Sequence, residues 1–360
     1  MSNGATLPNF ISYKGHDAVS LSAPFKFQGT TIYAFSLASD PSQVQVFVDQ
    51  TLNQVAPGAI EYRVLGGHVF LLFFHTDRIT SEDKIGNETA NETGFIVPLV
   101  EKQSGTLVPE KIVLWPAYAF IDSPIGMASG REIWGFNKTI GDTTILSPQR
   151  PLEFKLNTVT FTTLADATPK TDADLLKVNS TIPIRQPLRS MWNNPGALID
   201  ALNLELIDWE LIWDEIIDIE ESLLNFSFPL PLINLKEIRD AESTNSSALE
   251  QLVECQIKLE GNFAAGQLLD SHDQPIVFTA IVRDCRSHEI VRDMGLIHPR
   301  ATNPPETSFP VEYAFWVKMD WTLPGGTIIH DASPPGVVRP GFSCCPVCGT
   351  LRAIVNEIVP

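Results

Sequence analysis

The sequence predicts a mostly β protein of the α+β class. Three observations lead there. Short segments rich in β-branched and aromatic residues recur along the chain, Pro, Gly, Asn or Asp punctuates the gaps, and few stretches carry a helical pattern. Taken in order, DPSQVQVFVDQTLNQ (40–54) reads as a helix, with Asp40 or Ser42 as its cap and Pro41 in the first turn, where a missing N–H does no harm. HVFLLFFH (68–75), KIVLWPAYAF (111–120) and TVTFTTL (158–164) read as strands. The stretch 193–225 differs, with nine acids between Asp200 and Glu221 and no lysine or arginine. Its Leu202, Leu206, Trp209, Ile212, Trp213, Ile216 and Ile219 form a broad apolar surface, so an acidic amphipathic helix is expected, packed on the body or on another subunit. A negative polar face argues against a membrane-surface helix, and its acids read as a solvated face rather than as metal ligands. PIVFTAIV (275–282) and VEYAFWVKMDWTL (311–323) are further strands, and residues 332–360 read as an extension, a Pro-rich link with a short apolar end.

The chain has 360 residues, of which 44% are apolar, enough for a sizeable core. Its formal charge of −18 repels nucleic acid and anionic membranes alike, so neither is an expected partner. The first twenty residues lack the basic start and apolar run of a signal peptide, and no run approaches the ~20 residues of a membrane span. A soluble, cytoplasmic protein is expected. On that reading the six Asn-x-Ser/Thr sequons, at Asn87, Asn91, Asn137, Asn179, Asn225 and Asn245, arise by chance.

Of the five cysteines, Cys255 and Cys285 are isolated, whereas Cys344, Cys345 and Cys348 cluster in SCCPVCG. An odd count argues against a disulfide framework, and a zinc site at the cluster lacks an adjacent fourth ligand. The cluster reads as a reduced tail, with metal or redox chemistry as the alternative. No phosphate loop, dinucleotide fingerprint, HExxH or GxSxG occurs, and no cofactor is implied. His75 and Asp77, in FFHTD, read as a polar strand end.

One stretch carries chemistry. In ASGREIWGFNKTIGD (128–142) a lone Lys138 sits among Ile133, Trp134, Phe136 and Ile140. A lysine that attacks a ketone must be neutral for part of the time, and apolar surroundings or a nearby cation disfavour its charge. Composition alone also allows an outward-pointing surface lysine. The stretch resembles the lysine motif of the acetoacetate decarboxylase superfamily, commonly close to GREIWGFPKK, with Arg131 and Glu132 as motif residues. INLKEIRDAES (233–243) and VKMDWTLPGGTIIHD (317–331) are similar to later segments of the same family, so the resemblance spans about residues 20 to 331.

That resemblance implies an antiparallel, cone-shaped β-barrel with a few helices, one domain over 1–331, an acidic helical insertion at about 187–228, and a homo-oligomer. It implies a Schiff base between Lys138 and a carbonyl substrate, whose protonated imine accepts electrons when a neighbouring bond breaks. Glu92, in ETGFIVP (92–98), matches the family's active-site glutamate, which makes it the candidate acid/base. Phe27, Thr30, Trp134, Phe136 and Thr139 are the candidate substrate contacts. The departures are informative. The family's second lysine is Thr139 here, the proline before the lysine is Asn137, and the arginine that receives the substrate carboxylate falls on or near Thr30. The other family glutamate lies in a strand matching HVFLLFFH, which has no acid. Without that cation a small, charged β-keto acid lacks its charge-assisted partner. The expectation is a lysine-imine lyase acting on a relatively large or apolar β-keto acid or related carbonyl compound, by decarboxylation or by aldol or dehydration chemistry. The alternatives are an imine-independent, isomerase- or cyclase-like enzyme or a non-catalytic binding protein using the same apolar pocket.

Overall fold

The computed structural model describes residues 20–84, 86–103, 111–145, 153–198, 201 and 231–333. The elements run β1 (Phe25–Ala38), α1 (Pro41–Val48), β2 (Ile60–Val64), β3 (His68–Ser81), β4 (Glu88–Gln103), β5 (Lys111–Ile121), α2 (Pro124–Ser129), β6 (Lys138–Ile140), β7 (Asp142–Thr144), β8 (Glu153–Thr160) and β9 (Thr171–Asn179). They continue with β10 (Leu232–Arg239), β11 (Ser247–Cys255), β12 (Lys258–Gln267), β13 (Thr279–Arg283), α3 (Ile290–Asp293), β14 (Ala301–Asn303), β15 (Glu306–Pro310), β16 (Tyr313–Leu323) and β17 (Thr327–Asp331). The mostly β reading holds among the described residues.

Eleven strands form the larger sheet, along the path β12-β16-β1-β3-β4-β5-β10-β11-β17, with β2 and β6 paired to β4 and β5. Six form a second sheet, β14-β15-β13-β9-β8-β7. The two meet through aromatic contacts: Phe154 of β8 lies 4.9 Å from Phe35 of β1 and 5.3 Å from Phe73 of β3, centroid to centroid.

β3 shows how the sequence builds both faces. Val69, Leu71 and Phe73 are fully buried in the core between the sheets. Phe70, Leu72 and Phe74 point the other way and line a cavity. Strand residues alternate between faces, so a run apolar at every position has two apolar faces to serve.

The closed barrel that the resemblance implies does not appear in the strand pairing: among the described residues no ladder joins β12 to β17. One edge is already occupied. The backbone of Ala265 in β12 exchanges hydrogen bonds with Trp192, at 2.9 and 3.0 Å. The path is also thin at β5–β10, where one parallel pair, Leu232 with Leu114, connects the strands. The sheet nonetheless turns one face inward, since side chains from β1, β3, β4, β5, β10 and β16 line one cavity.

Several boundaries moved. The helix expected over 40–54 is α1, capped by Asp40 on the Ser42 N–H, and it continues as a wider π-type turn over Asp49–Asn53. Residues 161–164 lie beyond the end of β8, and 275–278 precede β13. Of the acidic insertion, residues 195–198 are helical, while 202–230 lie outside the described residues, as do the cysteine cluster and residues 334–360. No described helix is long and apolar enough to cross a membrane.

Candidate active site

Lys138 opens β6, a short strand paired in parallel with β5 so that Lys138 stands opposite Ala119. The approach to it is locally encoded. Ser123 caps α2 by accepting from the Gly126 N–H at 2.9 Å, and Pro124 takes the first helical position. A wider turn over Gly130–Trp134 follows and ends at Gly135, whose φ of +76° is the left-handed conformation glycine adopts at least cost. A Cβ at Gly135 would also lie 2.6 Å from the Cα of Lys236. This close approach docks the 128–142 motif on β10. The Trp134 indole N–H donates to the Pro324 carbonyl at 2.7 Å. All three resembling segments therefore meet in one place.

The lysine itself is held tightly. Arg131 Nη1 donates to the Lys138 carbonyl at 3.0 Å, fixing the backbone, and the aliphatic stem runs over Gly130, where a Cβ would meet Lys138 Cδ at 2.8 Å. The ammonium donates to Glu92 Oε2 at 3.0 Å and lies 5.3 Å from the centroid of the Phe136 ring. Only 12% of the Lys138 side chain and 26% of the Glu92 side chain are exposed.

Around them lies a cavity of about 360 Å³, within the size range of small-molecule sites. Lys138 is the only lysine or arginine among the described residues that line it. Thr76, Glu88, Glu92 and Ser129 add polar groups, and most of the wall is aliphatic or aromatic. No three His, Cys, Asp or Glu side chains among the described residues converge to hold a metal.

Two nearby groups show what burial does here. Burial lowers the Lys236 ammonium below the usual lysine range, with the Glu132 charge opposing it. Burial pushes the Cys255 thiol, in the cluster that packs Trp134, up to about 12.

No protein-family model and no curated protein matches the sequence. Solved structures do. Acetoacetate decarboxylase from Legionella pneumophila aligns with a TM-score of 0.51 at 16% identity, over 86% of this chain and 88% of that chain. A second acetoacetate decarboxylase structure aligns at 0.51 and 14% identity, over 89% and 96%. The enduracididine biosynthesis enzyme MppR, with HEPES buffer bound, aligns at 0.51 and 13% identity, over 92% and 98%. This chain has the acetoacetate decarboxylase fold.

Within that fold the expected residues separate into two groups. Lys138, Glu92, Phe27, Trp134 and Phe136 all line the cavity. Thr30 and Thr139 do not. Thr30 is fully buried, bonded to Thr76 Oγ1 at 3.1 Å and to the Trp321 indole N–H at 2.9 Å. Trp321 lines the cavity and stacks on Phe27 with centroids 3.8 Å apart. Thr139 follows Lys138 in β6, so strand alternation turns it to the opposite face. Arg131 and Glu132 are exposed, and Arg131 bonds the Lys138 carbonyl from outside the cavity.

Glu88 was not visible as a candidate. It shares the cavity-facing side of β4 with Glu92 and accepts a hydrogen bond from Ser123 Oγ at 2.7 Å. Its sequence signal was its even spacing from Glu92, which becomes legible only once 88–92 is known to be strand.

Proposed function

We propose that this chain is a lysine-imine lyase of the acetoacetate decarboxylase superfamily, acting on a large, apolar and uncharged carbonyl compound. The observation that carries this reading is the Lys138 amine, inside an apolar cavity and in hydrogen-bond contact with Glu92. The fold shared with acetoacetate decarboxylase and the motif around Lys138 support it. The substrate class follows from charge: Glu88 and Glu92 both face the cavity, and no second lysine or arginine does among the described lining residues, so a substrate carboxylate meets like charge.

The chemistry balances on these two side chains. Lys138 passes a proton to Glu92 along their hydrogen bond, and the freed lone pair attacks the carbonyl carbon. A proton moves from nitrogen to the former carbonyl oxygen, and Glu92 returns its proton as that oxygen leaves in water. The product is a protonated imine beside an ionised Glu92. With a β-hydroxy ketone, Glu92 then takes the hydroxyl proton, the Cα–Cβ bond breaks, and its electron pair enters the iminium. An aldehyde leaves, Glu92 protonates the enamine carbon, and water releases the ketone and Lys138. Loss of the β-hydroxyl as water is the alternative outcome of the same imine.

One observation favours a second reading. The Lys138–Glu92 pair also suits a lysine that only hydrogen-bonds, with Glu92 as the acid/base of an imine-independent reaction. Borohydride reduction in the presence of long-chain methyl ketones and their β-hydroxy analogues, followed by peptide mass spectrometry, separates the two. A reduced adduct on Lys138 is expected. Turnover that survives Lys138→Ala overturns the imine and favours the second reading.

A further inference from the structure

The strand register divides the cavity into layers, and the layers give it a direction. Leu72 of β3 lies opposite Ala34 of β1 and Gly94 of β4, and Gly94 opposite Ala119 of β5. Three of these four positions are Ala or Gly, so the wall is thin where the Lys138 backbone pairs. Beyond it the next layers are Phe70, Ile96 and Pro116, then Pro98 and Leu114. From Glu92 to Pro98 is six residues of strand, about 20 Å at ~3.3 Å each. This arm is apolar until its far end, where His68 Nε2 bonds Glu312 at 2.6 Å. On the other side of Lys138 the cavity is shorter and carries Glu88 and Ser129.

From this geometry we infer that the substrate is linear and asymmetric. It carries its reactive carbonyl near one end and an unbranched apolar chain that fills the Phe70–Ile96–Leu114 arm, and the small residues 34, 94 and 119 let the chain pass. The inference rests on the reading that the Lys138 cavity is the substrate site, but chain length is read by the arm and not by the imine.

Binding of straight-chain alcohols from butanol to dodecanol, measured by calorimetry, tests the arm without any carbonyl chemistry. Affinity rises about fourfold per methylene, as for a chain leaving water, until the arm is full. Decanol binds at least tenfold more tightly than 1-adamantanol, which has the same carbon count in a compact shape. Ile96→Trp, which blocks the layer of Phe70 and Pro116, shifts the plateau to shorter alcohols. In the unaltered protein, an intact chain-length series without a borohydride adduct sinks the imine and keeps the arm. Equal binding of decanol and 1-adamantanol overturns the inference. So does an unchanged plateau in a folded Ile96→Trp protein.

Discussion

Two lysines on the same sheet differ in what surrounds them. Lys111, at the start of β5, pairs with Glu101 Oε1 at 3.2 Å and with Glu254, and Glu101 is itself held by the Tyr62 hydroxyl at 3.0 Å. Burial works against its charge, yet the bonds to Glu254 and Glu101 hold it above the usual lysine range. Lys138 has one carboxylate, an aromatic ring and an apolar cavity. An ammonium has three N–H donors, so Lys111 is close to satisfied and Lys138 is not. The first arrangement stabilises a charge. The second leaves a nitrogen with room for an incoming carbon.

The predictions test that contrast. Lys138→Ala should lower turnover by at least about 10⁴-fold, as loss of the proposed nucleophile would. Glu92→Gln should cost about 10²-fold in kcat, since it removes the proton carrier and keeps the shape. Lys111→Met should do the reverse. It should leave turnover intact and cost about 2 kcal/mol in denaturant unfolding, a buried-pair loss discounted for the lysine's partial exposure. The sign with pH is fixed: a raised folded pKa contributes stability in full below the unfolded lysine value of ~10.4, and that stability is lost as pH rises through the folded value. The Lys111→Met deficit should therefore shrink above about pH 10. Smallest is Gly130→Ala, whose new methyl displaces the flexible Lys138 stem. About a tenfold loss of kcat with normal stability is expected, and unchanged kinetics would show that the stem's path is not selected.

Part of the larger sheet was legible, namely β3, β5 and β16, and the reason lies in particular strands. β3 and β16 announced themselves because apolar residues, many of them aromatic or β-branched, fill most positions of 68–75 and of β16. β4 was harder, because Glu88–Thr93 is polar where it borders the site. Thr30 does not line the cavity, which was not legible because strand parity says nothing about which neighbour lies in front; Trp321, which bonds it, does line it. The closed barrel was not evident in the pairing, since edge bonds taken by Trp192 leave no pattern in β12 itself.

By itself the sequence determined the local device: the Ser123–Pro124 cap, the left-handed Gly135 and the lysine three residues later. These depend on backbone sterics and short-range hydrogen bonds, which a few residues encode. Only the tertiary structure decided that Lys138 meets Glu92, 46 residues away, and that Trp134 reaches Pro324 at a separation of 190. It also decided that the apolar face of β3 opposite the core borders a cavity. Strand order and register are set by the packing of the whole sheet, and a two-sided apolar strand reads the same whether its second face meets a core or a substrate.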